Sequence, residues 1–212
     1  MRRVCALAAA FCCASSLGFG AALSDSELSE VCAQADDPVQ CGRLVEAVQL
    51  KRLPNLAKRD GNMLTVTLYP TGTATFTDTG APNARSYSLW DYLDTINAVL
   101  LYTIAGDTTT FTLLQRATDR RIELPTEPKV APDRQHLVTA DICEARCSNE
   151  VAIWRVTREG IRKELAWSPG PAWTDAIAKW KDAATLSFDY AGAKGAGTEE
   201  KKLDDPDWKR VP

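Results

Sequence analysis

From Leu64 to Tyr190 the chain alternates apolar and polar residues over short runs, and each run is closed by a turn signal. Leu64, Val66 and Leu68 alternate with Thr65 and Thr67; Pro70-Thr71-Gly72 follows; then Ala74 and Phe76 alternate with Thr73, Thr75 and Thr77. A period of two puts the apolar side chains on one face of a strand. Proline presets a turn dihedral and glycine accepts the left-handed position, so residues 64–77 read as a β-hairpin. Further strands are expected at 98–105, 111–118, 121–125, 136–142, 151–157, 161–167, 176–180 and 185–190. The turns between them carry Gly106-Asp107, Asp119-Arg120, Pro132-Asp133, Glu159-Gly160 and Pro169-Gly170-Pro171. Residues 83–95 are ambiguous. Strands this short and this evenly spaced predict an antiparallel meander.

Helical signals are confined to the start. Ser24-Asp25-Ser26-Glu27 is a capping-box pattern, with Leu28, Val31 and Cys32 on one face behind it. Asp36-Asp37-Pro38 breaks this helix. A second helix begins with Pro38 in its first turn and places Cys41, Leu44, Val45, Val48 and Leu53 at helical spacing. Arg59-Asp60-Gly61-Asn62 ends the helical region. If the two helices fold back at the break, Cys32 and Cys41 meet. A straight helix would hold them about 13 Å apart, too far to bond.

The N-terminus reads as a secretory leader. Arg2 and Arg3 precede an apolar run without an acid before Asp25, and Gly20-Ala21-Ala22 supplies the small residues of a cleavage site after Ala22. The run is too short to span a membrane stably. Lipid attachment at Cys12 or Cys13 would want a small residue where Phe11 and Cys12 stand. Loss of the leader takes Arg2 and Arg3 with it, moving the formal net charge from −3 to −5. It leaves Cys32, Cys41, Cys143 and Cys147, an even set that favours disulfides in an exported chain. Mild acidity without a basic patch argues against nucleic acid as a partner, and no later stretch is long and apolar enough to cross a membrane.

Residues 130–138, Val-Ala-Pro-Asp-Arg-Gln-His-Leu-Val, resemble the Ser-Pro-Asp-Gly turn and following strand of propeller blades of the WD40 and TolB kind. Residues 151–156 with Glu159-Gly160 resemble the second hairpin of such a blade. More narrowly, residues 60–190 are similar to a group of uncharacterised exported bacterial proteins with a helical start, a Thr-rich hairpin and blade-like strands. The resemblance implies sheets built as blades and supplies no functional residues. Ala131 and Arg134 stand where the blade turn has Ser and Gly. The chain is also too short for the four blades of a closed ring, which implies an open stack. A weak internal repeat agrees: Pro132-Asp133 before Leu137 and Lys181-Asp182 before Leu186 are 49 residues apart.

Few residues offer chemistry. Cys143 and Cys147 bracket a three-residue loop and read as a staple, with a redox switch or a metal site as the less supported alternatives. Neither a metal-ligand spacing nor a phosphate-cradling glycine loop is present, so no metal or cofactor is expected. His136 is the sole histidine and lacks the nucleophile motif that would make it catalytic. Asp91, Asp94, Asp133, Asp141 and Glu144 could pair for glycoside hydrolysis only if the fold brings two of them within about 5–10 Å. Of Trp90, Trp154, Trp167, Trp173 and Trp180, most should be core. Trp167 and Trp173 flank a Pro-Gly-Pro turn and are the candidate ligand platform.

The expected layout is a leader at 1–22, a helical hairpin at 23–59, an antiparallel β-domain at 60–191 and a disordered tail at 192–212, where only Trp208 could dock. The fold class is mainly β, an open antiparallel meander of blade-like sheets behind a short helical region. The expected function is that of a periplasmic or secreted interaction or scaffold module without catalytic residues, contacting an envelope protein or a second copy through strand edges. The 64–77 hairpin is the candidate edge, with Thr65 and Thr67 facing outward. The alternative is a carboxylate-dependent hydrolase of glycans.

Overall fold

A computed structural model describes residues 22–170 and 173–212. The leader expected over residues 1–22 therefore falls outside the described residues, except for Ala22. Two helices come first: α1 (Asp25–Cys32) and α2 (Pro38–Arg52). The Ser24 hydroxyl accepts from the Glu27 N–H at 3.3 Å while the Glu27 carboxylate accepts from the Ser24 N–H at 2.8 Å, completing the expected box. Asp37 caps α2 by accepting from the Gln40 N–H at 2.8 Å. The turn between the helices brings Cys32 and Cys41 to a Cα separation of 4.7 Å, and they form a disulfide.

Among the described residues, four antiparallel sheets follow in chain order, and none closes into a barrel. The first holds β1 (Ala57–Asp60), β2 (Met63–Thr67) and β3 (Thr73–Thr77). The second holds β4 (Arg85–Leu93), β5 (Ala98–Ala105), β6 (Thr108–Gln115) and β7 (Arg120–Leu124). The third is built from β8 (Lys129–Val130), β9 (His136–Asp141), β10 (Glu150–Val156) and β11 (Ile161–Trp167). The fourth comprises β12 (Trp173–Trp180), β13 (Thr185–Gly192) and β14 (Gly197–Lys202). The final strand β15 (Lys209–Arg210) returns to pair with β11 in the third sheet.

The sheets stack face to face, and side-chain parity records it. On β5, Val99 and Leu101 pack toward Leu64, Val66 and Phe76 of the first sheet. Their neighbours Ala98 and Leu100 point the other way, toward Leu137 and Trp154 of the third. On β10, Ala152 and Trp154 face the second sheet, while Val151 and Ile153 face Leu186 and Phe188 of the fourth. A strand covered on both faces needs apolar residues at every position. That is why residues 98–101 are continuously apolar and buried.

Several expectations are corrected. Residues 57–60, assigned to the helical region and its end, form β1, so β2 is a central strand flanked by β1 and β3. Thr65 and Thr67 face outward from a strand whose backbone is already paired on both sides; they do not lie on an edge. The ambiguous stretch 83–95 contains β4, whose register shifts at Trp90. The tail from 192 is ordered. β14 pairs with β13, Trp208 is 7% exposed, and its indole N–H donates to the Lys202 carbonyl at 2.8 Å. Lys201, only 4% exposed, lies 4.5 Å from the Trp167 ring and pairs with Asp205 at 3.0 Å and Asp207 at 3.2 Å. The segment is poor in apolar residues, the composition from which disorder is expected. Strand pairing, one indole and an ion-paired lysine supply what apolar side chains do not.

The helices cover the free edge of β4, and they do so with polar groups. The face of α2 that is buried carries Gly42, Val45, Glu46 and Gln49, while Leu44 and Val48 are only half-buried. Glu46 accepts from the Leu89 N–H at 2.9 Å, Gln49 donates to the Trp90 carbonyl at 2.8 Å and Asp78 accepts from the Tyr87 N–H at 2.9 Å. Arg43 and Arg59 both donate to the Tyr87 carbonyl. An edge strand exposes unpaired donors and acceptors. Here each of these four backbone groups is matched by a side chain.

Candidate functional site

The third and fourth sheets part along β8, β9 and β12 to leave a cleft of about 1000 Å³. Small residues make the space: Ala140 from β9 and Ala176 and Ala178 from β12 leave its floor unfilled. The Trp180 indole N–H donates to the Lys129 carbonyl at 2.9 Å and ties the end of β12 to β8. At the other end Cys143 and Asp175 form an isolated antiparallel bridge, so the loop closed by the Cys143–Cys147 disulfide sits against the start of β12. Between these two ties, residues 176–180 of an edge strand border the cleft. Ile177 is 54% exposed there.

The rim is charged with both signs. Lys129 pairs with Glu127 at 2.9 Å and Lys179 pairs with Asp189 at 2.7 Å. The Asp189 carboxylate holds the Lys179 ammonium above the usual lysine value, and Asp25 at the start of α1 acts in the same direction. Asp25, Arg134 and Asp175 also line the cleft. Arg134, the residue standing where the blade turn has glycine, adopts a left-handed φ of 60°.

The candidate platform dissolves into core. Trp173 is 7% exposed and stacks on Tyr190 at 4.3 Å. Trp167 lies edge-on to Trp173 at 5.5 Å and to Trp208 at 6.0 Å, with Lys201 over its face. Trp173 is buried and Trp167 is partly buried against Phe188, Trp208 and Lys201, so the two rings pack into the interface between the third and fourth sheets.

The candidate acids are dispersed. Asp133 accepts from the N–H groups of Gln135 and His136 and contacts His136 Nδ1 at 2.6 Å. His136 Nε2 lies 3.5 Å from Glu164, so the histidine bridges two acids and no nucleophile. Asp182, the repeat partner of Asp133, accepts from the Ala184 N–H, the same two-residue turn contact that Asp133 makes with Gln135. Asp141 accepts from Ser148, and Glu144 is exposed in the disulfide loop. Asp91 is different. It is 9% exposed, and burial pushes its carboxyl above the usual range, with Asp94, Glu127 and Lys129 in electrostatic reach. Among the described residues no three His, Cys, Asp or Glu side chains converge as metal ligands would.

Sequence reasoning missed the cleft. Its signal was the Ala176-x-Ala178 pair on a strand ending in Trp180, small residues where a filled sheet interface would carry large ones. Comparison of the chain with protein-family models, with curated proteins and with solved structures finds no match.

Proposed function

We propose that this is an exported binding module that holds an extended segment of a partner protein along β12, in the cleft between the third and fourth sheets. The observation that carries this reading is the contrast between edges. The β4 edge is capped by α2 and by Arg59, and β7 and β14 bear charged, exposed residues such as Arg120, Glu123, Glu199 and Lys202. Charge and cover are how sheet edges avoid pairing. β12 also carries exposed charges, Asp175 and Lys179, but sets an exposed isoleucine between them beside an apolar floor, the combination that strand addition uses: backbone bonds for affinity and a pocket for alternate side chains. Export is supported by the leader pattern and by two disulfides, which persist in oxidising compartments.

The test is a photocrosslinking residue placed at Ile177 in the secreted protein. A discrete adduct that disappears in Ala178→Lys, which puts a charge on the cleft floor, is the expected result. Adducts unchanged by that substitution would move the interface elsewhere. A hydrolase reading keeps one specific observation in its favour, the buried Asp91, since burial raises its carboxyl above the usual range and a carboxyl so raised is the kind that serves as a general acid. Turnover of a glycan panel that is abolished in Asp91→Asn would favour it over the binding module.

A further inference from the structure

The second and third sheets also part at one end, around Gln115. Two adjoining hollows of about 530 and 250 Å³ meet at this residue, the last of β6. Its side-chain N–H donates to the Thr157 carbonyl at 3.2 Å in the turn between β10 and β11, which fixes the amide orientation. The other amide atom, Oε1, has no partner, although the residue is only 8% exposed. A buried acceptor left unpaired carries a desolvation penalty that a donor would relieve.

The walls are cationic. Arg155 and Arg158 line the larger hollow, Arg120 and Arg121 the smaller, and no acid lines either. Arg155 and Arg121 have carboxylate partners in Glu164 and Asp119, each at 3.3 Å. Arg120 and Arg158 are exposed and make no ion pair within 4.0 Å among the described residues. Oε1 lies on the Gly160 side under Arg120: a Cβ built on Gly160 would sit 3.3 Å from Arg120 Nη1 and 4.0 Å from Oε1. The exposed Arg120 side chain thus lies beside this acceptor.

We infer that this groove binds an acidic saccharide, its carboxylate held by Arg120 and Arg158 and a ring hydroxyl donating to Gln115 Oε1. The anion alone would satisfy the arginines and leave Oε1 unpaired. A neutral sugar would satisfy Oε1 and leave the guanidinium groups without a counter-charge. A hydroxy-acid unit supplies both, and its charge is of the sign that guanidinium forks recognise.

Isothermal titration of the secreted protein with tri-galacturonate, maltotriose and inorganic phosphate tests this. Tri-galacturonate should bind, more weakly as salt is raised, and Arg120→Ala and Arg158→Ala should each lower the affinity by about tenfold. Gln115→Met should weaken binding while leaving the salt dependence in place. Maltotriose should give no heat. Absence of tri-galacturonate binding, indifference to both arginine substitutions, indifference to Gln115→Met, or phosphate binding as tightly as the trisaccharide would each overturn the assignment. Neither arginine makes an ion pair among the described residues, and an unchanged melting temperature in both variants would show that loss of binding reads the site and not the fold.

Discussion

The Glu46 carboxylate on α2 accepts a hydrogen bond from the Leu89 N–H of β4 at 2.9 Å while the Arg59 guanidinium from β1 grips the same carboxylate through two contacts of 2.8 Å. One side chain thereby joins the helices, the first sheet and the edge of the second. Arg43 and Asp78 complete a neutral set of two cations and two anions.

Glu46→Ala should cost about 3 kcal/mol in urea unfolding, because removing one partner of a buried pair strands the other charge and leaves the Leu89 donor unsatisfied. Glu46→Gln keeps an acceptor and should lose less. A Glu46→Ala loss under about 1 kcal/mol would mean the edge is capped some other way.

Gly42→Ala sets two effects against each other. Helix propensity favours alanine by about 1 kcal/mol in a helix interior. A Cβ at Gly42, however, would lie 2.8 Å from Tyr102 Cδ1 and 3.0 Å from Ser88 Oγ. Overpacking of this kind costs about 1–3 kcal/mol, and Tyr102 is held by Trp90 stacked at 4.9 Å and by Phe111 edge-on at 5.5 Å. The expected net result is a lower melting temperature. A rise would show that α2 can move off the sheet at little cost.

Strand period and turn chemistry were legible because each depends on neighbours in sequence. The bounds 98–105 and 161–167 match β5 and β11, and the capping box and both disulfides form as the local pattern implied. What was not legible depends on partners far along the chain. Ala57-Lys58-Arg59-Asp60 has no alternation to announce a strand, and becomes one because β2 offers an open edge and Glu46 takes Arg59. The buried face of α2 carries Glu46 and Gln49 because it meets backbone as well as side chains, so apolar spacing finds the buried Val45 but also picks the half-buried Leu44 and Val48. The cleft lay in the small size of Ala176 and Ala178, and Gln115 showed nothing until Thr157 claimed one end of its amide.

Acid should loosen the start of α1. The Glu27 carboxyl is lowered from 4.5 to about 2, first by the Ser24 N–H and then by the Arg52 side chain. A carboxyl whose folded value is depressed stabilises fully above its unfolded value, and that contribution is lost as pH falls through the folded one. The window is therefore from about 4.5 down to about 2. An NMR titration should place the Glu27 midpoint near the lower end. In Glu27→Gln the acid-dependent shift of the Ser24 amide should vanish. A midpoint near the ordinary carboxylate value would mean the box and the Arg52 contact do not persist in solution.

The C-terminal segment should be integral to the third and fourth sheets. Trp208 fills the space between Trp167 and the strand that carries Lys202, and Lys201 is held under it by Asp205 and Asp207. β15 then pairs with the outer side of β11, closing that edge. Trp208→Ala should cost about 3 kcal/mol, the order expected when a large buried aromatic is truncated. Cutting the chain after Gly192 should do more. It removes both strands, bares the β13 and β11 edges, and exposes the Trp167 face that Lys201 covers. Lower melting temperature and concentration-dependent self-association are expected for the truncated chain, because unpaired edges beside exposed aromatic surface seek new partners. Thermal unfolding and sedimentation of the full chain, the Trp208→Ala variant and the truncated chain distinguish the outcomes. If the truncated chain melts and sediments as the full one does, the last twenty residues are an appendage and the interface between the third and fourth sheets is held by Trp173, Phe188 and Leu186 alone.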